Sequence, residues 1–204
     1  MEPNTHEIET PSVKSKISPI ISEIIRFVMI AVFIVLPIRL YVAQPFVVSG
    51  ASMDPTFENG EYLIVDEISY RFSEPTRGEV IIFRYPQDTT KFFIKRIIGL
   101  PGETVEIQGK EVRIVNEEHP KGFSLDESYI SRETEGSMKI KLRSDEYFVM
   151  GDNRPASSDS RIWGPLTRDL IIGRAFLRLL PASHVGVFPG AHQYLVDEEV
   201  TANE

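Results

Sequence analysis

Phe92-Phe93-Ile94-Lys95-Arg96-Ile97-Ile98 places two adjacent cations inside a run whose other five residues are large and apolar. Aromatic and β-branched residues at this density predict a strand. On a strand Phe93, Lys95 and Ile97 share one face, and Ile94, Arg96 and Ile98 share the other. If both faces are covered, as so apolar a run suggests, one cation is buried or carried to an edge. The alternative is an edge strand whose two cations snorkel to water. Burial lowers a lysine pKa by up to about 3–5 units from about 10.4, which would make Lys95 a neutral amine and a general base near pH 7.

Similar short runs lie on either side: Glu61–Asp66, Glu79–Tyr85, Thr104–Ile107, Glu111–Val115, Tyr147–Met150 and Leu170–Phe176. Turn signals separate them, among them Asn59-Gly60, Arg77-Gly78, Pro101-Gly102 and Gly109. This spacing predicts a mostly β domain folded as a barrel or sandwich. A chain of 204 residues holds one compact domain with appendages, or two small ones.

Composition removes several chemistries. The net charge is -8, and no Lys/Arg run reaches five residues, so nucleic-acid binding is not expected. The chain has no Cys, hence no thiol nucleophile, disulfide framework, thiolate zinc site or redox pair. His6, His119, His184 and His192 are widely separated, and neither a metal nor another cofactor is expected.

Upstream, Ile20–Val48 is the one long apolar stretch. Its uninterrupted part, Phe27–Ile38, is short of the roughly 20 residues a spanning helix needs. Arg26 and Arg39 can snorkel toward headgroups and extend it. A cleavable signal is disfavoured because cutting after Ala43 would put bulky Tyr41 where a small residue is wanted. One transmembrane helix over 20–42 is therefore expected, behind a polar tail 1–19. Lys14, Lys16 and Arg26 outnumber Arg39, which puts the N-terminus in the cytoplasm.

Two further segments depart from a plain β-domain. Val48-Ser49-Gly50-Ala51-Ser52-Met53-Asp54-Pro55-Thr56 crowds small residues before a proline. By itself it is a linker, or a turn that aims amides and a hydroxyl at one point. Gly151–Arg161 is dense in polar groups, and Asp152, Asp159, Arg154 and Arg161 could form a charge network or a surface loop. Asp54, Asp152 and Asp159 also allow a paired-carboxylate hydrolase, though their spacing fixes no separation.

Taken in order, five blocks carry a resemblance: Gly50–Thr56, Gly60–Val65, Arg77–Phe83, Phe93–Glu103, and Tyr147–Arg154 with Ser157–Arg161. The chain resembles the type I signal peptidases (leader peptidases), membrane-bound Ser/Lys endopeptidases, from the apolar span to about Pro181. The resemblance implies that Ser52 is the nucleophile and Lys95 the general base of an acyl-enzyme mechanism. It implies that Ser157 hydrogen-bonds and orients the lysine, and that Asp159 and Arg161 form a supporting ion pair. The oxyanion would be held by the Ser52 N–H and a group near Gly50. Some relatives carry a hydroxyl side chain at that position, and Ser49 is one residue off. Phe46, Val48, Met53, Phe57, Phe93 and Ile94 match positions lining shallow apolar pockets. The implied substrates are signal-peptide-bearing pre-proteins, cut after small residues at -3 and -1.

By the same resemblance, the fold is a signal-peptidase-like β-barrel or sandwich over 43–190. A small β insert at about 104–145 and an acidic tail over 191–204 complete it. The implied surroundings are a lipid bilayer, plasma or thylakoid, with the catalytic domain on its extracytoplasmic side. Self-cleaving repressor-type Ser/Lys peptidases share the chemistry but are soluble, and a non-catalytic anchored β-domain is the rival from another class.

Overall fold

A computed structural model describes residues 19–36 and 43–194. The chain divides into two units between Arg39 and Leu40. The first contains α1 (Pro19–Ile30), which continues as a π-helix over Ala31–Val35, and its apolar side chains are exposed along the whole length. At 1.5 Å per residue the α-helical part spans about 18 Å, against a hydrocarbon core of about 30 Å. Among the described residues no helix is long and apolar enough to cross a membrane. The last residues of the expected span, 37–42, lie outside the described residues, as do 1–18 and 195–204.

The second unit is mostly β. Its strands are β1 (Ala43–Val47), β2 (Tyr62–Asp66), β3 (Val80–Tyr85), β4 (Asp88–Gly99), β5 (Thr104–Gln108), β6 (Glu111–Val115), β7 (Phe123–Ser124), β8 (Ser137–Lys141), β9 (Glu146–Met150), β10 (Leu166–Thr167), β11 (Ile171–Leu180) and β12 (Gly186–Val187). Eight form one sheet in the order β1-β2-β11-β3-β4-β9-β10, with β12 paired to β11. The other four form a second sheet, β7-β6-β5-β8.

The pairings that position the site are antiparallel. Ile81 faces Lys95 across β3 and β4, and Val149 faces Ile97 across β4 and β9. β3 is a continuous apolar run because both its faces are covered. Val80 and Ile82 pack with Val48, Met53, Phe57, Leu63 and Val65 on one side. Ile81 and Phe83 pack with Ile97, Tyr147 and Val149 on the other. A third cluster, including Val105, Ile107, Val112 and Ile114, joins the second sheet to Ile98, Phe148 and Met150.

The first and last strands of the run from β1 to β4 keep one edge free. β1 pairs only with β2, and β9 reaches β4 only from Arg96 to Gly99. The outer edge of β4 from Asp88 to Lys95 therefore has no partner strand among the described residues. Residues from both edges line one groove over Leu63 and Ile82, so the sheet curls into an open half-barrel.

Candidate active site

The segment after β1 is pinned at both ends of a small loop. Val48 N–H donates to the Glu61 carbonyl and Gly60 N–H to the Val48 carbonyl, both at 2.9 Å. A tight turn follows, in which Phe57 N–H donates to the Met53 carbonyl at 2.9 Å. Met53 and Phe57 are buried and hold this turn in the core. Ser52, between exposed Ala51 and buried Met53, is thereby carried at the surface of a rigid support. Asn153 fastens it from the opposite loop, with its N–H 3.1 Å from the Ser52 carbonyl and its Nδ2 2.9 Å from the Ala51 carbonyl.

Lys95 meets Ser52 from β4. Its Nζ lies 2.7 Å from Ser52 Oγ and 2.8 Å from the Ile94 carbonyl oxygen. The side chain is only 3% exposed, and the Phe93 ring lies 5.4 Å away. No carboxylate is within ion-pair distance of it among the described residues. Burial pulls its pKa down to about 8, with the more distant Asp159 and Asp152 opposing the shift. An ammonium at this position donates to Ser52 Oγ. A neutral amine accepts the hydroxyl proton with the same geometry.

Neither cation of the strand snorkels. Arg96, on the opposite face, is 0% exposed, and its Nε and Nη2 donate to Asp152 Oδ1 and Oδ2 at 2.9 and 2.6 Å. Asp152 also accepts from Thr56 Oγ1 at 2.5 Å, which ties the β4 strand to the turn that carries Ser52.

The polar loop does not form a single charge network. Asp152 turns to Arg96, while Arg154 pairs with Glu127. Asp159 and Arg161 do pair, Arg161 Nη2 lying 2.7 Å from Asp159 Oδ2, and Asp159 also caps α2 (Ser160–Trp163). A further bond runs from Gly151 N–H to Asp159 Oδ2 at 3.0 Å. Ser157 is buried close to Ser52, but its Oγ has no hydrogen-bond partner, Lys95 included. Gly151 leaves room for this approach, because a Cβ there would collide with Ser157 Oγ and the Ser52 carbonyl.

The Gly50 N–H donates to Asn59 Oδ1 at 2.9 Å. The groove, of about 480 Å³, is lined by Phe46, Val48, Phe93 and Ile94, but not by Met53 or Phe57. Those two side chains point into the core, where they support the turn. Gly50, Ser52 and Lys95 also line it, as do Ala51, Leu63, Ile82, Phe92, Ala156 and Ser158, and Phe46 and Phe92 meet edge-to-face at 5.5 Å. Leu63 and Ile82 sit at alternating positions of strands visible in the sequence. Nothing local marked Ala156 and Ser158.

A model of the family described as signal peptidase, peptidase S26, matches residues 21–180. A probable signal peptidase I-1 of Synechocystis is 38% identical over 174 residues, covering 81% of this chain and 86% of its own. A signal peptidase I of Leptolyngbya laminosa is 37% identical, with 90% and 92% coverage. Signal peptidase I P of Bacillus subtilis is 36% identical, with 78% and 89% coverage. A solved signal peptidase I of Enterococcus faecalis aligns at 30% identity and a TM-score of 0.44, covering 50% of this chain and 97% of its own.

Proposed function

The chain belongs to the signal peptidase family, peptidase S26, and on that premise we propose that it removes N-terminal signal peptides from exported pre-proteins by a Ser52–Lys95 dyad. The observation that carries this reading is the 2.7 Å approach of a buried, unpaired lysine to a serine held on a rigid turn.

The groove suits an extended peptide. The free edges of β1 and β4 offer main-chain hydrogen bonds on both sides, and Phe46, Val48, Phe93 and Ile94 leave shallow apolar space. Small side chains at -3 and -1 fit such walls. Lys95 takes the Ser52 proton as Oγ attacks the scissile carbonyl, and the Ser52 N–H stabilises the oxyanion. Collapse breaks the C–N bond, and Lys95 returns the proton to the leaving amine. Water, deprotonated by Lys95, then releases the acyl group from Ser52. Ser157, whose free hydroxyl is buried beside Ser52, orients the amine once substrate enters. The Asp159–Arg161 pair holds that loop in place.

Residues 20–42 anchor the enzyme in a plasma or thylakoid membrane, with the N-terminus cytoplasmic and the catalytic unit outside. The exposed apolar side chains of the helix from Ile20 to Leu36 support the anchor. The test is cleavage of a signal-peptide-bearing substrate in detergent by the native chain, Ser52→Ala and Lys95→Ala. Both variants should fold and lose at least about a thousandfold in rate. Native-rate cutting by either one would refute the dyad, and the anchored binding domain would become the better reading.

A further inference from the structure

The segment Phe188–Tyr194 lies beyond the residues that match the family, and the sequence groups its end with the acidic tail. It is not a tail. It leaves β12 through Phe188, whose φ of 47° turns the chain, and the Phe188 N–H donates to the Phe176 carbonyl at 2.7 Å. The Gly190 carbonyl accepts from Arg96 Nη1, and the Gly190 backbone presses on the Ser52 turn. A Cβ at Gly190 would stand 2.5 Å from Thr56 Cγ2 and 3.0 Å from the Phe57 ring. His192 N–H donates to the Gly78 carbonyl at 3.3 Å, and the same carbonyl accepts from Arg96. Tyr194 Oη is 2.6 Å from Tyr129 Oη, and the Tyr129 ring lies 3.9 Å from the Arg96 guanidinium carbon.

We propose that Phe188–Tyr194 is a positioning strap for the dyad: it clamps the strand bearing Lys95 to the turn bearing Ser52 and keeps water from the Arg96–Asp152 pair that joins them. The inference rests on the dyad proposed above. The groups facing Lys95 are the Ser52 hydroxyl, the Ile94 carbonyl, and the Asp152 and Asp159 carboxylates. Those around Arg96 are Asp152, Tyr129 and Tyr194, with the His192 ring tilted against Tyr129 and edge-on to Tyr194. Without the strap, water reaches Arg96 and Asp152. Lys95 then loses part of its desolvation and feels Asp152 less compensated, and both changes favour its protonated form.

The experiment compares the full chain with chains ending at Tyr194 and at Val187, measuring kcat/KM for a signal-peptide substrate in detergent against pH. The chain ending at Tyr194 should keep the native profile. The chain ending at Val187 should show its acid limb about one pH unit higher, a tenfold loss at neutral pH that shrinks as pH rises. If that chain does not fold, Gly190→Ala decides, since it crowds Thr56 and Phe57 and strains the strap at a backbone φ of 74° without removing it. The same limb shift is expected there. An acid limb that does not move, whatever the loss in rate, overturns the inference. A full-length chain that fails to cut overturns the dyad itself and this inference with it.

Discussion

On one face of β4, Arg96 is sealed from water with its Nε and Nη2 on Asp152, and burial, which would lower its pKa, is outweighed by that carboxylate so that the pKa rises. On the other face, one residue away, Lys95 is equally sealed but has only a hydroxyl and a carbonyl oxygen for company, and its pKa falls. Desolvation acts on both. A partnered charge becomes a fixed structural joint, whereas an unpartnered one is left able to give up its proton. The position of Asp152, bonded to Thr56 on the far side, assigns those fates.

The largest test of the contrast is a pair of substitutions. Arg96→Met leaves Asp152 buried without its cation and should cost about 3–5 kcal/mol in denaturant unfolding. Lys95→Met removes an amine with no carboxylate partner and should leave stability at neutral pH unchanged or higher, while cleavage is lost. Equal destabilisation by both would erase the distinction between the faces.

A second test follows stability with pH. The Lys95 pKa is about 8 in the folded chain and about 10.5 when exposed, so between those values the unfolded chain binds the extra proton. Stability contributed by this group therefore rises as pH climbs from about 8 to about 10.5, on the order of 3 kcal/mol in all. Below pH 8 the folded chain carries the charged amine and that gain is absent. Lys95→Met should flatten this part of the curve, and a variant with the same slope as the native chain would place the titration elsewhere.

The smallest effect concerns Ser157. Its hydroxyl has no partner to lose, so Ser157→Ala should leave the melting temperature nearly unchanged. It should reduce kcat about tenfold, the worth of one net hydrogen bond formed as substrate enters. A drop in stability without a drop in kcat would make Ser157 a packing residue.

Runs rich in β-branched residues made β2, β3, β5, β6 and most of β4 legible from sequence: β3 and the end of β4 are buried on both faces, and β5 and β6 alternate buried with more exposed residues. β1 was hidden. Pro45 interrupts it, and its apolar residues continue the upstream stretch, although an edge strand paired on one side tolerates proline. Ser52 and Lys95 were legible as motif positions. The partners of Arg96 and Arg154 were not, since they depend on how β4 and β9 register and on where a loop from the second sheet returns. The same holds for Ala191–Tyr194, which packs where Gly78 lets its backbone meet that of His192 and Gly190 lets the chain lie against the Thr56 and Phe57 side chains.

The paired free edges of the half-barrel have a consequence for timing. A slot that binds through amides and carbonyls accepts a segment only while those groups are unengaged, and a helix has already committed them. A segment therefore has to unwind before its side chains can be compared with the pockets. On the proposed function, two segments with the same residues facing the pockets should then differ in cleavage rate by the free energy of their uncoiling. A helix-breaking glycine or proline a few residues upstream would set the pace of processing without ever touching the protein.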